Sequence, residues 1–487
     1  MKEYDKICKT VFNAFGEIFL MEPKGKQKDV VDLPDSGHFV VLGTAGSGKT
    51  TMALLRAKHL GIKYPNACIL LVTFNRALIS YMKNLGLKMP TNVNIENYHH
   101  FARGYLNSRS KMNFNCIIDT NEKESLVSEI LLEFRSANPQ ISTYNRPAED
   151  FFSEIIFIQQ QGLSELEYLT KERIGRASVN IRKENRKYFY EVYKEYMYRR
   201  RLLGKLYDWD DIASAVLDEF KIDLSSRKYM HVVLDEGQDF SPQMLRSLIA
   251  AIPQEGSFIF FGDVNQQIYG SRLSWRDAGI NINQSTIWRF KDNFRNSYEI
   301  SAFASALTES EYWQKSEDAV LPATSRAAGP LPAVMHFDNE SFEIKTVCEL
   351  AQKQAISATV AIIVRDRTDV ARITSLTRKA KEIKSDKIID YSSPGVYVTT
   401  YHSAKGLEFD YVFVPLLSSD YLPSKEKVEL MPNNKIEIFG DEIKYLYVAV
   451  TRAKYGLFLS YSGMPSCFIP KVKGIFNFKY MGGDSNR

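Results

Sequence analysis

The sequence predicts an α/β protein built from two parallel-sheet units, with a helical segment inserted in the first. Three observations predict it. Short apolar runs without alternation recur along the chain and end in polar residues, as strands covered by helices on both faces do. The first of these runs passes at once into a glycine-rich turn and then a helical pattern. Residues 75–230, between the second run and the third, are dominated by helical patterns.

HFVVL (38–42) is the first strand and leads into GTAGSGKTTMALLRAKHL. ACILLVTF (67–74), HVVLDE (231–236) and SFIFFGD (257–263) are the next three. The intervening helical patterns include NEKESLVSEILLEFRS and the basic stretch 171–206. A second set begins after IWRF: ATVAIIVRD (358–366), GVYVTT (395–400) and YVFVPLL (411–417), then EIKYLYVAVTRA followed by YGLFLSYS. ATSRAAGPLPA (323–333) reads as a loop. The expected organisation is a first unit over 1–106 and 231–284, a helical subdomain over 107–230, and a second unit over 285–487.

A chain of 487 residues has room for roughly three domains. With 44% apolar and 25% charged residues, disordered and fibrous classes fit poorly. Five scattered cysteines without a C-x-x-C, and a charged N-terminal stretch MKEYDKICKTVF, lead us to expect a reducing, cytoplasmic setting. No window is apolar enough to suggest a membrane span. The net charge of +5 is small, but residues 171–206 carry twelve Lys and Arg against four Glu. A polyanion-tracking face and a solvated helix both produce such a run.

Gly43, Thr44, Ala45, Gly46, Ser47, Gly48, Lys49 and Thr50 satisfy G-x-x-x-x-G-K-[ST] in full. Glycines let backbone N–H groups turn toward a phosphate, Lys49 places a cation on the β and γ phosphates, and Thr50 offers a hydroxyl to Mg²⁺. The pattern predicts ATP and Mg²⁺ as ligands. HVVLDEGQDFSPQ (231–243) supplies the acids such a site needs. Alone, this cluster also suits a nuclease; beside a phosphate loop, Asp235 is expected to hold the metal and Glu236 to polarise the attacking water. Gln238 and Asp239 are left for coupling and local orientation, with Phe240 to Gln243 starting the next helix.

These residues, and others in order along the chain, resemble the UvrD/Rep-like superfamily 1 helicases. Gln27 in KGKQKDVV resembles the family's adenine-reading glutamine, and VTFNRAL (72–78) with ENYHHFA (96–102) its first nucleic-acid contacts. FGDVNQQIYG (261–270) would couple nucleotide to strand through Asp263 and Gln266, with Tyr269 stacking on a base. DNFRNSYEI (292–300) is similar to the segment that places an arginine, here Arg295, near the γ-phosphate. TTYHSAKGLEFDYVFV (399–414) and YVAVTRAK (447–454) complete the order, with Glu408 near the nucleotide and Arg452 in the arginine-finger role.

The resemblance implies two RecA-like P-loop motor domains, an ATP-driven DNA translocase or helicase of 3′ to 5′ polarity, and a partner that is single-stranded DNA or a single/double-strand junction. Lys49, Asp235, Glu236, Gln266, Arg295 and Arg452 would form the catalytic set. Thr73, Phe74, Asn75, His99, Tyr269, His402 and Ser403 would touch the strand. The histidines match no zinc spacing, so a hydrogen bond to phosphate or backbone is their expected role.

Some features depart from the family. Arg295 and His402 are only 107 positions apart, which leaves no room for a full-sized fourth subdomain. The compact form is expected to translocate on single strands, with duplex unwinding left open. Only 33 residues follow YVAVTRAK, so any cutting in repair or phage defence is expected of a nuclease partner. YDWDDIASA (207–215) resembles a family segment; its Asp210 and Asp211 suit a helix start, and Asp208, Asp210 and Asp211 together also read as an enzymatic trio. An ATP-dependent RNA or nucleoprotein remodeller, and a non-enzymatic ATP-bound sensor of nucleic acid, are the competing readings.

Overall fold

Strand formation here follows from β-branched, leucine and phenylalanine side chains that alternate between two buried faces. The computed structural model describes residues 23, 26–73, 88–113, 115–171, 181–266, 275–283, 286–313, 318–320, 324–325, 327–383, 393–430 and 435–482. Helix α1 (Lys26–Val31) precedes β1 (Gly37–Gly43), α2 (Lys49–Lys63), β2 (Cys68–Thr73), β3 (Val93–Asn97) and α3 (Tyr98–Ser108). The inserted helices are α4 (Thr120–Ala137), α5 (Ala148–Gln161), α6 (Glu165–Thr170), α7 (Arg186–Leu202) and α8 (Ile212–Ile222). The chain then returns through β4 (Tyr229–Leu234), α9 (Pro242–Ala250), β5 (Ser257–Gly262) and β6 (Ile287–Phe290).

These six strands form one parallel sheet in the order β3-β2-β4-β5-β1-β6. Val40, Leu42, Leu70, Val72, Val232 and Leu234 pack on one face. Val41, Ile69, Leu71, Val233, Ile259 and Phe261 pack on the other. Both faces are covered, which is why the strands read as unbroken apolar runs.

β6 pairs with β1, Val40 opposite Ile287 and Gly43 opposite Phe290. Residues 287–290, just past the expected boundary at 285, thus belong to the first sheet. Two short strands pair with each other, β7 (Asp292–Asn293) and β8 (Thr324–Ser325), the second of them inside the region 323–333 read as a loop.

The second unit runs α10 (Tyr298–Thr308), β9 (Ala333–Phe337), α11 (Glu340–Gln354), β10 (Thr359–Val364), α12 (Arg367–Leu376), β11 (Lys381–Glu382), β12 (Gly395–Thr400) and β13 (Phe409–Val414). It closes with α13 (Lys425–Leu430), α14 (Lys435–Val450), β14 (Ala453–Ser462) and β15 (Asn477–Tyr480). Its strands are again parallel, in the order β11-β12-β10-β13-β14-β9-β15. Two parallel-sheet units with flanking helices and a helical insertion are thus present.

The insertion has a core of its own, built from residues such as Ile130, Phe151, Ile155, Phe189 and Tyr196. α8 lies within the interval 107–230 but packs through Ile212, Val216 and Phe220 into the core of the first sheet. Among the described residues no helix is long and apolar enough to cross a membrane.

Candidate active site

β1 ends at Gly43, and the chain turns through Thr44 to Gly48 before α2 begins at Lys49. Gly46 has φ +70°, and a Cβ there would lie 2.4 Å from Asn293 Oδ1 and 2.5 Å from Arg295 Cβ. Glycine is required because the segment after β6 packs directly on this turn, where Phe294 N also donates to Gly46 O at 2.8 Å. Lys49 Nζ donates to the carbonyls of Gly43 (3.0 Å) and Thr44 (2.8 Å) and lies 3.9 Å from Asp263 Oδ2. Burial lowers its pKa, against the pull of Asp263, Glu236 and Asp235. Gln27, from α1, donates through Nε2 to Ser47 O at 2.9 Å and so sits on the turn.

The two acids stand at the carboxyl end of β4, which lies between β2 and β5. Thr50 Oγ1 donates to Asp235 Oδ2 at 2.8 Å, whereas the buried Asp235 Oδ1 has no hydrogen-bond partner among the described residues. Burial and the neighbouring Glu236 push the Asp235 carboxyl up to about 7. An orphaned, buried carboxylate oxygen beside a threonine hydroxyl is the donor set of a hard divalent cation. The residues therefore fit Mg²⁺.

Glu236 has a left-handed backbone, φ 53°. At Gly237 a Cβ would lie 2.3 Å from the Phe260 ring, so a side chain has no room there. Strain of this kind is held in place by its surroundings and clusters at functional sites. Burial opposes ionisation of Glu236, but Lys405 and Lys49 outweigh it and hold its pKa below the ordinary value.

From Glu236 a chain of hydrogen bonds runs to the second sheet. Gln238 Nε2 donates to Glu236 Oε2 (2.5 Å), and Gln238 Oε1 accepts from Asp263 N (2.9 Å). Gln266 Nε2 donates to Asp263 Oδ2 (2.9 Å), and Gln266 Oε1 accepts from Arg452 Nη2 (2.9 Å). Arg452 is 1% exposed and also donates to the carbonyls of Val448 and Leu407. Burial pulls its pKa down to about 9, which leaves it a cation at neutral pH. Lys405 adds a parallel link, donating to Asp239 and to Gln266 O.

Arg295 Nε donates to Glu408 Oε2 at 2.9 Å, and Lys454 Nζ lies 2.8 Å from Glu408 Oε1. Burial opposes ionisation of Glu408, yet these two cations hold its carboxyl at about 2. Lys405, Lys454 and Asn293 were not singled out from the sequence. Lys405 stands inside the HSAKGLEF segment, so its position in that motif was the available signal.

The expected strand contacts are more dispersed. Thr73 is buried at the end of β2, its hydroxyl without a hydrogen-bond partner among the described residues. His99 is half-buried, its ring 4.8 Å from that of Trp209. His402 is half-buried beside Tyr445, and burial lowers its pKa to about 4, so it offers a neutral ring. Ser403 N donates to Thr400 Oγ1 at 3.2 Å. Phe74, Asn75 and Tyr269 lie outside the described residues.

The basic stretch and the acidic segment after it both take part in ion pairs. In the basic stretch, Lys171 pairs with Asp277, Lys194 with Glu165, Arg199 with Glu133, and Lys205 with Glu122. Arg200 is buried against Asp208 and Asp211. Five of its twelve cations are thus paired, Lys194 and Glu165 at the surface and Arg200 deep in the fold, while Arg173 and Arg176 lie outside the described residues. α8 does start at the acidic segment, with Asp211 as its N-cap residue, but the Asp211 side chain makes no cap bond; Asp208 Oδ1 accepts from the backbone N–H groups of Asp210 and Asp211. Lys123 Nζ lies 3.2 Å from Asp208 and 2.8 Å from Asp210, so the trio is an ion-pair cluster with Asp208 and Asp211 buried and Asp210 half-buried.

The profile of the UvrD/REP helicase N-terminal domain matches residues 24–293, and that of the UvrD-like helicase C-terminal domain matches residues 368–463. The chain belongs to the UvrD/Rep helicase family. It is accordingly an enzyme of the helicase ATPase class, with a P-loop NTPase fold. A Mycoplasma pneumoniae protein named "Probable DNA helicase" is 23% identical over 480 residues, 90% of this UvrD/Rep chain and 83% of its own length. The mitochondrial ATP-dependent DNA helicase HMI1 of Saccharomyces cerevisiae is 29% identical over 185 residues, 35% of this chain and 26% of its own. ATP-dependent DNA helicase Rep of Buchnera aphidicola (subsp. Baizongia pistaciae) is 25% identical over 301 residues, 56% of this chain and 41% of its own. The chain thus spans most of the first relative and less than half of the other two.

Proposed function

We propose that this protein is an ATP-driven translocase of single-stranded DNA, moving 3′ to 5′, in which hydrolysis is linked to closure of the two sheet units. Gln27 reads the adenine, and Lys49 neutralises the β and γ phosphates. Thr50 and Asp235 hold Mg²⁺, which when bound supplies charge neutralisation at the phosphate oxygens. Glu236, kept ionised by Lys405 and Lys49, orients the attacking water and takes its proton. Arg295 and Arg452 bring positive charge from the second unit to the oxygens where charge develops. Glu408 orients Arg295. Among the described residues, Thr73, His99, His402 and Ser403 are assigned to the strand.

The single observation that carries this reading is the unbroken chain Glu236, Gln238, Asp263, Gln266, Arg452. It joins the group that would activate water to a cation of the other unit through the segment that follows β5. A shift of one unit against the other must therefore disturb the geometry at Glu236, and occupation of the site must bias that shift. The test is ATP turnover by wild type and Glu236→Gln with single-stranded DNA, single-stranded RNA, duplex DNA or no polymer. Stimulation of the wild type by single-stranded DNA, with Glu236→Gln silent, is expected. Failure of every single strand to raise turnover contradicts the proposal.

A further inference from the structure

Three stretches of backbone meet beside the phosphate turn, and each brings one charged side chain. Arg295 follows β7, Glu408 immediately precedes β13, and Lys454 is the second residue of β14. Bonds to the main chain fix their spacing. Phe409 N donates to Arg452 O at 3.0 Å, and Ser297 N donates to Lys454 O at 3.2 Å. The buried Asn296 donates through Nδ2 to the carbonyls of Thr451 and Ala453. On its other side Arg295 rests on the turn itself, where a Cβ at Gly46 would lie 2.5 Å from the Arg295 Cβ.

Glu408 divides its two oxygens between the cations. Arg295 Nε donates to Oε2 at 2.9 Å, and Lys454 Nζ lies 2.8 Å from Oε1. An arginine beside a carboxylate commonly forms two parallel bonds, one to each oxygen. Here Arg295 makes one, and among the described residues its Nη groups make no hydrogen bond. Beside burial, which is the larger cause, the charge of Arg295 helps to lower the pKa of Lys49 in the turn and of Arg452. Arg295, Glu408 and Lys454 together carry net positive charge, where Arg295 and Glu408 alone would cancel.

We propose that Lys454 is a positioning residue for ATP hydrolysis: by holding one oxygen of Glu408 it keeps that carboxylate from closing bidentately on Arg295. The Arg295 Nη groups and their charge then remain available to the γ-phosphate. Without Lys454 the freed oxygen of Glu408 captures an Nη group, which turns the guanidinium toward the second unit and neutralises it. The inference rests on the reading of Arg295 as a cation at the γ-phosphate and adds the residue that keeps it there.

The experiment measures ATP turnover with single-stranded DNA, and equilibrium binding of ADP and of a non-hydrolysable ATP analogue, on the full chain. Lys454→Met is expected to lower kcat about tenfold. Its affinity for the analogue falls about threefold, while ADP, which has no γ-phosphate, binds within about twofold of the wild type. A folding defect weakens both nucleotides together, so their ratio isolates the positioning role. Lys454→Arg, which keeps the cation, stays within about twofold of the wild type in kcat. Because Lys454 acts through Glu408, adding Lys454→Met to Glu408→Gln changes kcat by less than about twofold. Wild-type kcat in Lys454→Met, an equal loss of ADP affinity, Lys454→Arg as slow as Lys454→Met, or an additive loss in the double variant overturns the positioning role and leaves the translocase reading standing. No strand-stimulated turnover in the wild type overturns both.

Discussion

Arg452 Nη2 donates to Gln266 Oε1 at 2.9 Å, joining the corner between α14 and β14 of the second unit to the segment after β5 of the first. The bond is buried at both ends, Arg452 at 1% and Gln266 at 3% exposure. A charge-assisted hydrogen bond shielded from water is stronger than an exposed one and has no ready substitute when removed.

Gln266→Ala removes this bond and the one to Asp263 without touching the phosphate turn. Strand-stimulated ATP turnover is expected to fall on the order of tenfold to a hundredfold. Nucleotide affinity should stay within about twofold, because the change acts on the transition state and on coupling rather than on ground-state binding. Steady-state turnover with and without single-stranded DNA, beside equilibrium nucleotide binding, separates the two.

Arg200→Met tests the buried cluster that fixes the insertion. Arg200 Nη1 lies 3.1 Å from Asp208 and 2.5 Å from Asp211, both buried, and its loss leaves Lys123 as the remaining close cation of Asp208. Removing one partner of a buried ion pair costs about 3–5 kcal/mol. Urea unfolding should show a loss of that size. A loss below about 1 kcal/mol would mean that the cluster behaves like surface pairs.

Acid stability should depend on His231. Its Nδ1 lies 2.8 Å from Ser257 Oγ, and burial lowers its pKa from 6.5 to about 4. The folded state keeps the ring neutral where the unfolded chain protonates it, so its contribution is complete above pH 6.5 and is lost as pH falls toward 4. The wild-type urea midpoint should drop between pH 7 and pH 5. His231→Asn should give a flatter profile over the same window.

Much of this site is legible in the chain itself, because its chemistry is local. The phosphate turn is eight consecutive residues, and Asp235 and Glu236 are adjacent at a strand end. What escaped is what the fold assembles from a distance. Lys405 reaches Asp239 across 166 positions, a pairing no spacing rule encodes. The charge of 171–206 looked free because its partners Glu133, Glu165 and Asp277 are remote or on other helices. IWRF shows the same limit: an apolar run announces a strand but not its neighbour, and β6 joins β1 in the first sheet.

The central claim is that hydrolysis drives directional movement along one strand. It is tested most directly by streptavidin displacement from single-stranded DNA biotinylated at either the 5′ or the 3′ end, with saturating Mg-ATP. Displacement from the 5′ end, absent in Glu236→Gln and absent from the 3′ end, is the predicted result. Brisk strand-stimulated turnover with streptavidin retained at both ends would contradict it.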